Sequence, residues 1–443
     1  MADRAGEDSA APVPSFGVRE AMALIVGIVV GAGIFRTPSL VAAESASGAA
    51  MLLAWALGGA ISLIGALCYA ELASTFPSAG GEYHFLGRAF GPRFAFLYGW
   101  SRLAVIQTGS LALLAYVFGD YMTALAPLGP WSPTLYAAAA VAGVTLLHWA
   151  GVALGTRAQF WLTALEIAGL AAVIAAGLLF APEAPPVPPP ARETGLGLVL
   201  VFVLLTYGGW SEAAYLSAEL KGARRRIAPV LLASIALIAI LYLLANWAYL
   251  RALGLAGMAR SDAIATALLE RAWGAESAAL IGLAVAVAAL TSASATAFTG
   301  ARSAYALGRD FPQLGFLGRW RKRRRTPGNA LLVQGAAALL LVALGGLARD
   351  GFRVAVEYTA PAFWFFMLMV SLSLFVLRRR EPDAERPFRV PLYPLLPGLF
   401  VATNLWLLYS SLAYTGIGAF VGGAVLLAGA LLLLWLRPRE SFR

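Results

Sequence analysis

Long apolar runs, each ended by a short polar or charged stretch, recur along the whole chain. Roughly 20 apolar residues are enough to cross a bilayer as a helix. About twelve segments meet that criterion. They are residues 18–46, 50–75, 94–122, 135–151, 158–180, 196–220, 228–250, 278–307, 330–347, 354–377, 392–414 and 416–436. A further stretch, 261–272, is too short to span and is expected to lie at the interface. The pattern predicts an all-α polytopic membrane protein. A membrane β-barrel would show short alternating segments instead.

Two of the runs are interrupted. The first contains Ile28-Val29-Val30-Gly31-Ala32-Gly33-Ile34-Phe35, and the sixth contains Thr206-Tyr207-Gly208-Gly209-Trp210-Ser211. Glycine weakens a helix and bares its backbone. In hydrocarbon each unpaired N–H or C=O costs several kcal/mol, so a break is tolerated only where protein or a cavity surrounds it. The second break falls five segments after the first. That spacing predicts a five-plus-five inverted repeat with a ligand site between its halves, and two accessory helices at the end. The expected units are a tail (1–17), a first repeat (18–180), a Pro-rich external linker (181–195), a second repeat (196–377), a basic loop (378–391), the accessory pair (392–436) and a short tail (437–443).

Composition sharpens this picture. Apolar residues make up 60% of 443 positions and charged residues 13%, where a soluble domain carries about 25%. The formal charge of +10 is concentrated in alternate loops, as in Arg224-Arg225-Arg226, Arg323-Arg324-Arg325 and Arg378-Arg379-Arg380. The positive-inside rule then puts both termini in the cytoplasm of a multi-pass membrane protein. It also accounts for the basic balance better than a nucleic-acid face does; the basic clusters are expected to meet lipid headgroups. Cys68 is the only cysteine, so no intrachain disulfide can form. No cofactor motif, metal-ligand cluster, P-loop or hydrolytic triad is apparent, which argues against an enzyme or an ATP-driven pump.

A broken helix offers free N–H groups at the start of its second half, which suit a carboxylate. It offers free C=O groups at the end of its first half, which suit an ammonium. Two facing breaks would cradle an α-amino acid. The bland alternative is close helix packing through small residues.

Longer motifs resemble a known family. Gly31-Ala32-Gly33-Ile34-Phe35 with Pro38 resembles the first-helix signature of the amino acid–polyamine–organocation superfamily. Cys68-Tyr69-Ala70-Glu71-Leu72, Phe76-Pro77 with Gly80-Gly81-Glu82-Tyr83, and Ala89-Phe90-Gly91-Pro92 are similar to its second helix and first cytoplasmic loop. Tyr207-Gly208-Gly209-Trp210 through Glu219-Leu220-Lys221 is similar to its sixth helix, and Arg302 with Tyr305-Ala306-Leu307 to the end of its eighth. The L-type amino acid transporter branch and its bacterial relatives resemble the chain most.

The resemblance implies a secondary carrier of amino acids working by alternating access. Amides of Ala32 and Gly33 would hold the substrate carboxylate, and carbonyls of Val29, Leu205, Thr206 and Gly208 its ammonium. Leu205 stands where the family often has a gating phenylalanine, so Tyr207, Trp210 and Gln107 are the candidates for gate or pocket. Glu166 stands where many relatives carry a lysine. An ionisable group inside a span is a functional-site hypothesis in its own right. Glu166 could carry a proton, or hold Na⁺ with Ser292 or Thr296, or be structural. Glu212 could face the vestibule or pair within the bundle. Glu71 and Glu82 are expected to hold a cytoplasmic gate through ion pairs to basic loops, and His148 to be packed.

Neutral L-amino acids are the expected substrates, by proton-coupled uptake or exchange. A Na⁺-coupled symporter or a carrier of cationic amino acids or amines is the alternative, and a channel or a lipid-acting membrane enzyme the reading outside carriers. Animal members of the branch that the chain resembles pair with a partner glycoprotein through a cysteine in the external loop after the third span; residues 119–133 contain none, so the resemblance implies no disulfide-linked partner subunit.

Overall fold

The computed structural model describes residues 14–184, 196–261, 263–274, 278–347, 351–415 and 419–439. The Pro-rich linker expected after the fifth span and most of the N-terminal tail lie outside the described residues. Among the described residues the regular elements are helices, with two isolated bridges, Phe16 to Leu220 and Arg321 to Thr326. Ten helices there are long and apolar enough to cross a membrane.

The first run is broken as its glycines predict. Helix α1 (Val18–Val29) stops, a 3₁₀ turn follows (Ala32–Phe35), and α2 (Thr37–Ala43) resumes with Pro38 in its first turn. Proline there lacks only an N–H that a helix start leaves unpaired anyway. Helix α3 (Gly48–Thr75) begins at Ser47, whose hydroxyl accepts from Ala50 N–H at 3.1 Å. A short loop helix, α4 (Glu82–Phe90), precedes α5 (Pro92–Ser101). Helix α5 passes through a π-turn (Arg102–Ile106) into α6 (Gln107–Leu125). Then come α7 (Ser132–Ala150) and α8 (Val152–Ala175), the latter ending in a second π-turn (Ala176–Phe180).

The second break repeats the first. Helix α9 (Leu196–Thr206) stops, and a 3₁₀ turn (Trp210–Glu212) leads into α10 (Ala213–Leu216). Gly209 makes the reversal with φ 102°, a conformation that side-chain-bearing residues rarely adopt. Helices α11 (Ala223–Arg260), α12 (Ile264–Trp273), α13 (Ala278–Asp310), α14 (Gly328–Leu347), α15 (Gly351–Arg380), α16 (Leu395–Thr415) and α17 (Ala419–Leu432) complete the fold.

Several span limits differ from the sequence reading. The third begins at Pro92 and the fifth at Val152, so Arg93 and Arg157 belong to helices and not to loops. Both are exposed, and a long arginine stem can carry its charge to water from a helix end. The seventh span continues to Arg260, bent where Gly254 leaves helical geometry.

The broken segments sit at the centre of the bundle. Helix α1 lies against α8, α11 and α13, while α9 lies against α2, α3 and α16. Large exposed apolar side chains such as Leu53, Trp161, Leu340 and Tyr409 lie on the outer helices. That is the arrangement a lipid-facing surface requires.

Candidate functional site

The two breaks touch. A Cβ placed on Gly33 would lie 3.1 Å from Thr206 Cγ2, and one on Gly209 would lie 2.5 Å from Ile28 Cγ2. At Gly209 a Cβ would overlap Ile28, and at Gly33 it would press on Thr206, so the absence of side chains lets the two breaks approach this closely. At Gly31 a Cβ would meet Ser292 Oγ of α13 at 2.5 Å.

The exposed backbone groups find partners across the site. Val29 O accepts the Gly31 N–H at 2.8 Å and the Tyr242 hydroxyl at 2.6 Å. The same hydroxyl lies 3.2 Å from Thr206 O. Tyr242, on α11, thus bridges carbonyls at the ends of α1 and α9. Its ring packs on Trp55 and Tyr207, with centroids 5.7 and 5.0 Å away. Ser292 Oγ, on α13, donates to Gly27 O at 3.0 Å and approaches Ile28 O at 3.4 Å. On the other side Thr163 Oγ1 donates to Ala23 O at 3.0 Å. These contacts hold the end of α1 at the break.

The remaining candidates fall in three places. Leu205 is half-buried, and its carbonyl accepts the Gly208 N–H at 3.1 Å. Thr206 Oγ1 donates back to Phe202 O at 2.9 Å. Tyr207 is buried and donates to Trp55 O at 3.1 Å, so it ties α9 to α3. Trp210 packs edge-on against Tyr69 at 5.0 Å and beside Phe400 at 6.1 Å. A cavity of about 20 Å³ adjoins Gly208 and Trp210, and Ser62, Trp364 and Asn404 line it. Each of those three has a buried polar atom with no protein partner, and the space suits one water.

Gln107 is buried against α13, where Nε2 donates to Thr296 O at 2.9 Å and Thr299 Oγ1 at 3.1 Å. This clips α6 to α13, and it engages the Thr296 backbone.

Glu166 is 2% exposed, and neither carboxyl oxygen has a hydrogen-bond partner among the described residues. No hydrogen bond joins it to Ser292 or Thr296. It is an electrostatic neighbour of Tyr242, the residue that bridges the breaks. A buried carboxyl without partners is costly, so its retention calls for a reason.

The acidic residues beyond the breaks are paired. Glu71 accepts from Arg378 at 2.8 and 2.5 Å and from Val390 N–H at 2.7 Å, and lies 3.4 Å from Arg386. That ion pairing with the basic segment matches the expectation. Glu82 differs, since its partner is Arg102 in the π-turn and not a loop arginine. Glu212 does not face open space: its two oxygens receive Arg102 Nη1 and Nη2 at 2.9 and 2.8 Å. Arg102 was missed in the sequence because it is one charge within an apolar run and its partners lie far away in the chain. The only hint is a single arginine in a span without a neighbouring acid.

His148 is packed, with Nε2 at 2.9 Å from Ser294 Oγ. His84, on the loop helix, is held down at about 4 by burial and by the Arg88 guanidinium. Its ring is therefore neutral near physiological pH. Among the described residues no cluster of three His, Cys, Asp or Glu stands together to hold a metal.

Comparison with known proteins agrees with this architecture. The family model described as amino acid permease matches residues 16–435. The chain is 31% identical over 408 residues to b(0,+)-type amino acid transporter 1 of Mus musculus, covering 88% of this chain and 81% of that protein. It is 29% identical over 429 residues to large neutral amino acids transporter small subunit 2 of Mus musculus, covering 93% and 79%. It is 28% identical over 445 residues to the cystine/glutamate transporter of Homo sapiens, covering 95% and 86%. All three relatives are named as transporters. With helices broken where its glycines fall and a match running nearly end to end, the chain belongs to the amino acid permease family of the amino acid–polyamine–organocation superfamily.

Proposed function

We propose that this permease carries neutral L-amino acids by alternating access, through proton-coupled uptake or exchange, with both termini in the cytoplasm. The observation that carries the reading is the contact between the two breaks, with Tyr242 joining Val29 O to Thr206 O. An α-ammonium would compete with the Tyr242 hydroxyl for those carbonyls. Amides of Ala32 and Gly33 would take the carboxylate, and the helix start adds favourable partial charge. The halves flanking each break would then rock about this midplane point.

Neutral side chains are favoured because Glu212, which could have drawn a cationic one, is occupied by Arg102. The relatives are named for neutral substrates in one case and for cystine and glutamate in another, and a backbone cradle reads only the α-amino and α-carboxyl groups, so the breaks alone do not choose among side chains. Glu166 supports coupling to protons. It has no cationic partner among the described residues, and no hydroxyl hydrogen-bonds to it as a sodium-ligand set would bring nearby.

Uptake of radiolabelled amino acids into proteoliposomes tests the reading. Saturable uptake of neutral L-amino acids is expected, accelerated by an inward proton gradient or by internal substrate and indifferent to Na⁺. Flux that is ohmic and unsaturable would reject a carrier. Uptake that needs Na⁺ would reject the coupling.

A further inference from the structure

Just beyond the second break lies a charged cluster that the substrate cradle does not use. Arg102, in the π-turn of the third span, is 3% exposed. Its Nη1 and Nη2 clasp Glu212 on the 3₁₀ turn after Gly209, at 2.9 and 2.8 Å. Its Nη1 also reaches Glu82 Oε2 on the loop helix at 3.2 Å, and its Nε reaches Ser303 Oγ on α13 at 3.3 Å. Its guanidinium lies over the Tyr215 ring of α10, 4.4 Å from the centroid.

Three hydroxyls complete the cluster. Tyr69 from α3 donates to Glu82 Oε1 at 2.5 Å, Tyr215 from α10 donates to Oε2 at 3.0 Å, and Tyr98 from α5 donates to Oε2 as well. Two buried carboxylates thus share one guanidinium, and hydroxyl donors supply what the second carboxylate lacks. Removing Arg102 would leave both buried carboxylates without their cation, so the cluster depends on the guanidinium staying where it is. π-Turns inside helices are frequent at functional positions, and here the turn carries the arginine.

The parts it joins are the ones alternating access must separate. Glu212 and Tyr215 belong to the second half of the broken helix, which the carrier reading sets in motion. Arg102, Tyr98 and Ser303 belong to unbroken helices. Glu82 belongs to the loop on the basic side, which the charge pattern assigns to the cytoplasm.

We propose that Arg102 is a positioning residue for transport: its clasp on Glu212, seconded by Glu82, latches the second half of the broken helix to the third span and keeps the cytoplasmic side of the site closed. The proposal rests on the carrier reading above. Opening inward requires the Arg102–Glu212 pair to part. Weakening it raises the inward-facing population and lowers the outward-facing one. Apparent affinity on each face scales with the fraction of carriers competent to bind there.

The test is the KM for substrate measured separately in right-side-out and inside-out vesicles. Glu212→Gln keeps the shape and one acceptor but removes the charge. Its external KM should rise and its internal KM fall, moving their ratio by about tenfold. Glu212→Asp, which restores the charge, should bring the ratio back toward wild type. Should Glu212→Gln not fold, Tyr215→Phe removes a single hydroxyl from the cluster and should move the two KM values the same way by a smaller factor. Both KM values unmoved with only Vmax lowered, or both rising together, would overturn the latch. Absence of saturable transport by the wild-type protein would instead overturn the carrier reading.

Discussion

Gly209→Ala is the substitution the geometry at the breaks constrains most tightly. The residue sits at φ 102° and ψ −21°, and alanine pays about 1–2 kcal/mol to enter left-handed backbone. Its Cβ would also stand 2.5 Å from Ile28 Cγ2 and 3.4 Å from Ile28 O. Relieving an overlap in a packed site costs about 1–3 kcal/mol more. The two terms together come to about 2–5 kcal/mol against the observed arrangement. Displacing Ile28 also disturbs the first break, because Gly27 O and Ile28 O are the acceptors of Ser292. Thermal unfolding in detergent, followed by tryptophan fluorescence, should show a lowered midpoint, and substrate affinity should fall with it. The two terms separate by design. Gly209→Asn should recover the backbone part, since asparagine visits this region more readily. Ile28→Ala added to Gly209→Ala should recover the steric part and show coupling in a double-mutant cycle. A Gly209→Ala protein that melts and binds like wild type would refute the argument that these backbones meet.

Three further substitutions probe the site and its surroundings. Gly33→Leu should abolish substrate binding in a scintillation proximity assay while the protein remains folded, because the added Cβ already lies 3.1 Å from Thr206 Cγ2. Glu166→Gln should flatten the pH dependence of uptake, to which His84, held near 4, contributes no charge change near neutrality; an unchanged profile would remove Glu166 from coupling. Glu71→Gln should lower stability by about 3 kcal/mol, because Arg378 and Arg386 lose the charge that neutralises them at a nearly closed site. Thermal unfolding measures that loss, and a neutral result would show the pair to be screened by water.

Much of the fold is legible because the bilayer is an exacting solvent. Hydrocarbon demands long apolar helices, so the spans stand out, and it penalises bare backbone, so glycine pairs in mid-span mark the breaks at Gly31 and Gly208. Span ends are less legible. Arg93 and Arg157 suggest loops, yet long side chains reach water from within a helix. The cradle was readable only as backbone. Tyr242 was not, because it is one of two tyrosines among the apolar residues of α11, gives no periodic signal and acts on residues more than 30 positions away. Arg102 was hidden for the same reason, with partners 20 and 110 positions away. The sequence leaves Glu212 open between vestibule and ion pair, and only the fold brings Arg102 to it. Glu166 was legible because a lone carboxyl inside a span is conspicuous.

The central claim is that the two interruptions form one substrate site. A structure of the protein saturated with a neutral L-amino acid in a lipid nanodisc tests it most directly. Density is predicted between the breaks, its carboxylate at the Ala32 and Gly33 amides and its ammonium at the Val29 and Thr206 carbonyls, with the Tyr242 hydroxyl drawn off at least one of them. Substrate density elsewhere in the bundle, with Tyr242 still joining Val29 to Thr206, would contradict the account.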